Sequence, residues 1–375
     1  MSDTMQKTIQ SNTVRRPAWL LPTPARRDES SEDAGVRRLL LKLMRGEDLL
    51  RAEAAELLSA VLDERATDAQ IAAALVALAV KGETVEELTG MAEAMRARAV
   101  SIHSRHENFI DTAGTGSSYA KTFNVSTAAA FVCAGAGLAV AKHGSRAATS
   151  RAGSADVLAA LGVNVDVAPE ISERCLNETG VCFMFAPLYH RAAARVAGVR
   201  RELGVHTTFN LLGPLTNPAR APRQIIGVWH ESLLEPLAHT LNALGTKRAW
   251  VVHGEDGLDE VTTSAATKVA EACAGKVRVF TITPEDFGFK ERDSLAHLRG
   301  GDAQENATII LDVLRGNRTG ATGAARQLII ANAAAALYVA GAAESLHDAA
   351  RQAAHSIESG AAEAKLGELI ERTNA

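Results

Sequence analysis

The fold of this chain is decided by the stretch FIDTAGTGSSYAKTFNVST, residues 109–127. A short predicted strand at 109–112 leads into a loop with Gly114 and Gly116, and a helix-sized segment follows at 125–135. Such a loop can cradle an anion, because glycines let backbone N–H groups approach it and the helix N-terminus adds a positive dipole. The loop lacks the Gly-Lys-Ser/Thr of a Walker loop and the third glycine of a dinucleotide fingerprint. A tight strand–helix turn without a ligand therefore stays open as the alternative.

Downstream of this stretch, strand-like and helix-like segments alternate. We predict strands at 138–141, 163–167, 224–228, 249–252 and 277–282, and helices at 156–161, 233–244, 321–340 and 343–373. This alternation favours the α/β class, with a mostly parallel central sheet that is covered by helices.

Upstream, residues 36–100 carry apolar side chains at helical intervals and few glycines or prolines. Asp68 is expected to cap one helix, and Thr84 to Glu87 reads as a capping box before another. We therefore predict a small all-helical domain of about four helices. A helical segment at 187–212 lies inside the α/β part, and we predict that it joins this small domain.

Residues 1–34 are polar, with paired arginines followed by acidic residues. We predict a disordered or loosely docked extension there, with an organelle transit peptide as the alternative. The predicted domains are then residues 35–104, helical, and residues 105–375, α/β.

Composition excludes several classes of protein. The 375 residues are 47% hydrophobic and 22% charged, which is ordinary for a globular protein. The net charge of −4 does not show the overall positive charge that is typical of nucleic-acid-binding proteins. Aromatic residues make up 4%, which argues against a carbohydrate lectin or a base-stacking platform. The four cysteines form no CxxC pair, so zinc ribbons and redox motifs are unsupported. We also expect no membrane span, because no uninterrupted apolar run reaches about 18 residues.

Two further stretches carry chemistry. Lys142, His143 and Arg146 follow a predicted strand end, where cationic groups and nearby hydroxyls suit an anionic ligand. The loop at 255–260 follows another strand end and carries four carboxylates, which suit Mg²⁺, although a solvated acidic loop is the alternative. The stretch at 210–218 contains two proline turns and is predicted to set backbone geometry as a hinge or crossover loop. Together these stretches predict one site for Mg²⁺ and a polyphosphorylated small molecule.

These stretches resemble motifs of the anthranilate phosphoribosyltransferases, a family of tryptophan biosynthesis. The resemblance runs from about residue 36 to the C-terminus, and its motifs are GTG at 114–116, TFNVST at 122–127, KHG at 142–144, GSADVL at 153–158, FNLLGPLTNP at 209–218, GLDE at 257–260 and NAAAALY at 332–338. It implies a helical domain, a larger α/β domain, a homodimer and an active site in the cleft between the domains. It also implies two Mg²⁺ ions, with phosphoribosyl pyrophosphate and anthranilate as substrates. The cytoplasmic location is predicted separately, from cysteines that are expected to be buried, reduced thiols.

Carried over residue by residue, the resemblance implies that phosphoribosyl pyrophosphate is held by Gly114, Ser117, Ser118, Thr122, Asn124, Val125, Ser126, Thr127, Lys142, His143, Gly144, Ser145, Arg146, Ala147, Ala148, Thr149, Ser150 and Ser154. It implies that anthranilate is held by Gly114, Ser145 and Arg200, with Arg201 the less favoured neighbour. It implies that Mg²⁺ is held by Ser126, Asp259 and Glu260. No general base is assigned, because an aniline nitrogen is nucleophilic as the free base.

Two positions depart from the family pattern. Ser118 stands where the family usually has Asp, and Ser145 stands where it usually has Asn, which puts Mg²⁺ affinity and acceptor specificity in question. The alternatives are a related phosphoribosyltransferase or nucleoside phosphorylase with a different aromatic acceptor, and a non-catalytic homologue that binds nucleic acid.

Overall fold

The computed structural model describes residues 31–116, 122–147, 151–290, 292, 294, 298–317 and 321–375. The first four elements are helices, as the sequence predicts: α1 (Ser31–Met44), α2 (Arg51–Leu62), α3 (Asp68–Lys81) and α4 (Val85–Arg98). Thr84 caps α4 in a capping box with Glu87, which confirms that motif. The cap of α3 is Thr67 and not Asp68, because the Thr67 hydroxyl accepts from the Gln70 backbone amide. Helix α1 begins inside the segment that was predicted as an extension.

The described residues form a seven-stranded sheet. Its strands are β1 (Phe109–Asp111), β2 (Ala139–Gly144), β3 (Val181–Phe185), β4 (Arg223–Gly227), β5 (Arg248–Gly254), β6 (Thr267–Cys273) and β7 (Lys276–Ile282). The order across the sheet is β3-β2-β1-β4-β5-β6-β7. The first five strands in that order are parallel, whereas β6 and β7 form an antiparallel hairpin on β5. The α/β class with a mostly parallel sheet is thereby confirmed.

Helices cover both faces of the sheet. They are α5 (Val125–Gly135), α6 (Ser154–Ala160), α7 (Pro169–Thr179), α8 (Ala186–Tyr189), α9 (Ala194–Leu203), α10 (Thr208–Leu215), α11 (Leu234–Ala243), α12 (Ala303–Leu314), α13 (Ala321–Ala340), α14 (Leu346–Glu358) and α15 (Ala361–Asn374). One hydrophobic core contains α5 and α13, and the other joins α11 to the four N-terminal helices. Helices α9 and α10 pack on α3 and α4.

Several predicted elements were wrong in detail. Residues 163–167 form no strand: Val163, Val165 and Val167 are buried, but the segment has no ladder partner because β3 occupies the place beside β2. Strands β3 and β6 were not predicted. The helical stretch at 187–212 is divided among α8, α9 and α10, and the stretch at 343–373 is two helices, since Gly360 between them has a φ of 76°.

One described helix has the length and hydropathy of a membrane span, although it contains no uninterrupted apolar run of 18 residues. It is Thr322–Ala340, and 78% of its apolar window is buried inside the protein. It packs on α5, α12, α14 and the strands β1, β4 and β5. An alanine-rich helix in this position is the central helix of the larger core.

Candidate functional site

The candidate site is a cleft at the carboxyl edge of the parallel strands. The chain order reverses between β1 and β4, and ligands of open α/β sheets bind at such a switch point. A cavity of about 560 Å³ lies there. One side, which we call the sheet wall, consists of the carboxyl ends of β1, β2 and β5 with the loops that follow them. The other side, which we call the helical wall, consists of the segment at 186–214 with α9 and α10, and of Met95 of α4.

The sheet wall is anchored by two buried side chains of opposite charge at the ends of β1 and β2. Asp111 is fully buried and Lys142 is 3% exposed. The Asp111 carboxylate accepts from Asn217 Nδ2 at 2.7 Å and from the backbone amides of Ala113 and His143. Burial raises the pKa of Asp111 to about 6, while the positive charge of Lys142 lowers it. The sequence stretch at 210–218 therefore contributes through Asn217, which ties its turn to the strand ends.

Lys142 connects this anchor to the cavity. Its Nζ donates to the Thr112 carbonyl and hydroxyl oxygens at 3.3 Å and to Ser126 Oγ at 3.2 Å. Burial lowers the pKa of Lys142, whereas the charges of Asp111 and Glu260 raise it. A buried ammonium held among oxygens at the cavity wall is suited to a substrate phosphate.

The acidic loop after β5 presents two of its four carboxylates to the cavity. Asp259 and Glu260 line it, while Asp256 accepts from the Leu258 amide and the Thr262 hydroxyl and so shapes the loop. Gly227, at the end of β4, lies under this loop: a Cβ added there would stand 1.6 Å from the Asp259 carbonyl oxygen. Only glycine allows the two backbones to approach this closely.

The oxygen ligands present fit Mg²⁺. Burial and the neighbouring charge of Asp259 raise the pKa of Glu260, because the two carboxylates lie close together in this corner of the cavity, where a cation would favour their charged forms. Among the described residues there is no cluster of three or more His, Cys, Asp or Glu side chains that could hold a metal ion. Two carboxylates and the Ser126 hydroxyl suit an ion that also takes oxygens from a substrate phosphate, as Mg²⁺ commonly does.

The helical wall is organised around Arg200 of α9. Its Nε donates to Thr207 Oγ1 and its Nη2 to Asn210 Oδ1, both at 3.1 Å. Thr207 and Asn210 also form the capping box of α10, so one motif both starts that helix and orients the guanidinium. Burial lowers the pKa of Arg200. Its guanidinium lies 5.7 Å from the centre of the Phe209 ring, beside which an aromatic carboxylate could be recognised.

Two buried histidines meet where the walls join. The rings of His143 and His190 stand edge to face, 5.1 Å apart. His143 Nδ1 lies 3.1 Å from the Gly213 carbonyl oxygen, so Nδ1 carries the proton and Nε2 is left as an acceptor. Burial lowers the pKa of His143 to about 3, with a smaller contribution from His190, and lowers the pKa of His190 to about 4.

The structure brings most of the predicted site residues into this one cavity. Those that line it are Gly114, Thr122, Asn124, Ser126, Lys142, His143, Gly144, Ser145, Arg146, Ala147, Ser154, Arg200, Asp259 and Glu260. Val125 and Thr127 do not line it, since both are buried in the core on α5. Ser117, Ser118, Ala148, Thr149 and Ser150 lie outside the described residues.

Sequence reasoning missed most of the helical wall. The further lining residues there include Met95, His190, Ala193, Ala194, Ala197, Phe209, Asn210, Gly213 and Pro214. Most are small or apolar, which resembles any helix core, so their type gives no signal. The capping pattern of Thr207 and Asn210 was readable, although it points to a helix start and not to a site.

Comparisons with known proteins cover most of the chain. The model of the glycosyl transferase family, a/b domain, matches residues 106–363, and that of its helical bundle domain matches residues 37–99. The chain is 52% identical over 335 residues to the anthranilate phosphoribosyltransferase of Moorella thermoacetica, covering 89% of this chain and 97% of that one.

Solved structures extend the comparison. The crystal structure of anthranilate phosphoribosyltransferase from Thermus thermophilus is similar with a TM-score of 0.84 and 39% identity, covering 91% of this chain and 99% of that one. The enzyme from Saccharomyces cerevisiae in complex with PRPP and Mg has a TM-score of 0.82 at 26% identity, covering 91% and 98%. The same yeast enzyme is also known in complex with 4-fluoroanthranilate, with a TM-score of 0.81, 26% identity, and 92% and 99% covered.

Proposed function

The chain belongs to the anthranilate phosphoribosyltransferase family, and from this premise we propose that it transfers the 5-phosphoribosyl group of phosphoribosyl pyrophosphate (PRPP) to the amine of anthranilate in tryptophan biosynthesis. The observation that carries the proposal is the pairing of two unlike walls around one cavity. The sheet wall offers a buried ammonium and two carboxylates, and the helical wall offers a guanidinium beside an aromatic ring.

PRPP is assigned to the sheet wall. The described lining residues at 114–116, 122–124, 126, 142–147 and 152–154 offer backbone amides, hydroxyls and the Lys142 ammonium for its phosphates. Ser126, Asp259 and Glu260 are assigned to Mg²⁺, and we propose two ions, since polyphosphates commonly bind through more than one. Mg²⁺ bound there supplies positive charge that stabilises the departing pyrophosphate.

In the reaction, the amine nitrogen of anthranilate forms a bond to C1 of the ribose as the bond from C1 to the pyrophosphate oxygen breaks. The amine proton is released, and the products are N-(5-phosphoribosyl)anthranilate and pyrophosphate. Lys142 and the loop amides hold the phosphates, and Arg200 holds the acceptor carboxylate, so that the two reactants stand in line. Because the aniline nitrogen is already nucleophilic, no residue is assigned as a general base.

Acceptor choice is the less constrained part of the proposal. Ser145 is exposed at the cavity rim, and its carbonyl accepts from the Ala155 amide, so its short side chain leaves space where the family usually has Asn. A different aromatic acceptor is the second candidate. The retained Arg200 and the net charge of −4 favour anthranilate over that acceptor and over a nucleic-acid partner.

The direct test is the loss of anthranilate fluorescence with purified protein, PRPP and Mg²⁺, with and without EDTA. We expect Mg²⁺-dependent turnover and a rise in the KM for anthranilate of about 100-fold in Arg200→Ala, which loses a charged hydrogen bond to the substrate. The matched control is Arg201→Ala, because Arg201 is exposed and does not line the cavity. A folded protein that binds PRPP but leaves anthranilate unchanged would refute this acceptor.

We also propose a homodimer formed through the small helical domain. Val80 is 83% exposed and Leu50 is 68% exposed. The ion pair of Lys81 with Asp48, at 2.8 Å, holds the loop with Leu50 beside the end of α3, and both exposed apolar side chains belong to this small domain. Size-exclusion chromatography with light scattering should find a dimer that Val80→Glu dissociates, while Val279→Glu, at an exposed position on β7, leaves it intact.

A cytoplasmic location completes the proposal. All four cysteines are free thiols, and three of them are buried, which suits a reducing compartment. Fractionation of cells expressing the full chain checks this: recovery in a membrane or secreted fraction would contradict it.

A further inference from the structure

Three hydrogen bonds in series connect helix α12 to the PRPP loops. The backbone N–H of Gly301 donates to Asn306 Oδ1 at 2.7 Å. Asn306 Nδ2 donates to Asn124 Oδ1 at 3.0 Å, and Asn124 Nδ2 donates to the Ala152 carbonyl at 3.3 Å. Asn306 is 3% exposed and does not line the cavity, whereas Asn124 does.

Both ends of this series are backbone groups, and this fixes its direction. An N–H of Gly301 can only donate, so the Asn306 oxygen faces it and the Asn306 NH₂ group faces Asn124. A carbonyl of Ala152 can only accept, so the NH₂ group of Asn124 faces that carbonyl. The oxygen of Asn124 is thereby occupied, and its second amide proton is the group left for a ligand.

The segment before α12 is held tightly against the loop that it braces. Thr122 and Arg299 form an isolated antiparallel bridge. A Cβ at Gly300 would stand 2.6 Å from the Phe123 amide nitrogen and the Thr122 carbonyl oxygen, so only glycine permits this approach. The same segment therefore fixes both the backbone of the loop and the side chain of Asn124.

We propose that Asn306 is a positioning residue that makes Asn124 a hydrogen-bond donor toward the negatively charged oxygens of PRPP. The inference rests on the proposed function, since it names a further determinant of the same PRPP site. An Asn124 amide turned the other way would present its oxygen to an anionic substrate, which repels it. Asn306 prevents that arrangement without touching the substrate.

The test is the substitution Asn306→Asp, which keeps the acceptor for Gly301 but replaces the donor to Asn124 with an oxygen. We expect the Kd of PRPP, measured by calorimetric titration with Mg²⁺ present, to rise about 10-fold, as for one lost charged hydrogen bond. The KM for anthranilate should stay within about 2-fold. Asn306→Ala, which adds no charge, should weaken PRPP binding in the same direction.

A double-mutant cycle with Asn124→Ala separates positioning from a general effect of charge. If Asn306 acts through Asn124, then Asn306→Asp adds little once the Asn124 amide is absent. Asn177→Asp is the matched control, because Asn177 also ties a loop by two bonds, to the Arg105 amide and the His103 carbonyl, and does not line the cavity. It should leave PRPP binding unchanged.

Two results would overturn the inference: PRPP affinity within about 2-fold of wild type in folded Asn306→Asp and Asn306→Ala, or additive effects in the cycle. Because the PRPP titration measures binding and not turnover, it tests this inference separately from the acceptor assignment. Wild-type protein that binds PRPP but does not convert anthranilate defeats the proposed acceptor alone, and the cycle still decides the role of Asn306. Wild-type protein that does not bind PRPP defeats both.

Discussion

The sheet wall and the helical wall of the cleft are built in different ways. On the sheet wall, residues adjacent in sequence act together at strand ends, as Asp259 and Glu260 do, and a buried charge network holds them. On the helical wall, a single charged residue, Arg200, is oriented by a helix cap among small apolar side chains. Under the proposed function, this difference corresponds to a division of labour: the sheet wall holds PRPP and Mg²⁺, and the helical wall holds the acceptor carboxylate through Arg200.

The largest expected loss of activity comes from substitutions in the acidic corner of the sheet wall, which is formed by Asp259 and Glu260. The double variant Asp259→Asn, Glu260→Gln should lose at least about 1000-fold in kcat, because the positive charge that stabilises the leaving pyrophosphate is no longer held. The same variant should be no less stable than wild type in thermal unfolding without Mg²⁺, since the charge of Asp259 raises the pKa of Glu260 and the substitution removes that repulsion. Retained Mg²⁺-dependent turnover in this variant would contradict the assignment of Asp259 and Glu260 to Mg²⁺.

A pair of glycine substitutions compares the two walls directly. Gly227→Ala places a Cβ 1.6 Å from the Asp259 carbonyl oxygen, so the acidic loop must shift by more than about 1 Å and kcat/KM should fall about 100-fold. Gly213→Ala, on α10, meets nothing within 4 Å and should change kcat/KM only a few-fold. Steady-state kinetics on both variants checks this, and equal effects would mean that the walls are equally tolerant.

The cap of α10 allows a finer test of the helical wall. Asn210→Ala removes the acceptor for Arg200 Nη2 and for the Thr207 amide, so the guanidinium loses its orientation. The KM for anthranilate should rise about 10-fold, as expected for one hydrogen bond to a charged group, while the KM for PRPP stays unchanged. A matching rise in both KM values would indicate damage to the fold instead of to one wall.

The smallest expected effect is at the seam, where His143 of one wall meets His190 of the other. Because burial lowers their pKa values to about 3 and about 4, the folded protein binds fewer protons than the unfolded chain from below pH 5 up to the ordinary value near 6.5. Stability therefore falls as the pH drops through that range, by about 1 kcal/mol for each histidine between pH 7.5 and 5.5.

Urea unfolding at these two pH values measures that effect. His190→Gln should reduce the pH dependence by the share of one histidine, and His103→Gln, at an exposed position, should leave it as in wild type. An unchanged pH dependence in His190→Gln would show that the seam does not hold its histidines neutral.

The same division explains how much could be predicted from the sequence. The sheet wall was predictable because Gly114, Lys142 and Asp259 each follow a strand end, and parallel strands bring their ends to one edge. Met95 and Asn306 were not, because their roles depend on contacts between segments far apart in the chain. The false strand at 163–167 has the same cause: its alternating valines have the period of a strand, but pairing depends on which segment occupies the neighbouring place.

Helices α9 and α10 pack on α3 and α4, although about 100 residues separate the two pairs along the chain. During synthesis, α3 and α4 therefore remain without their packing partners α9 and α10 until the ribosome has added those residues. This takes roughly 5–20 s at the usual rate. Over that interval the apolar surface that α9 and α10 will cover faces the cell interior. The N-terminal helices are thus one part of the newborn chain whose apolar surface needs shielding by a chaperone.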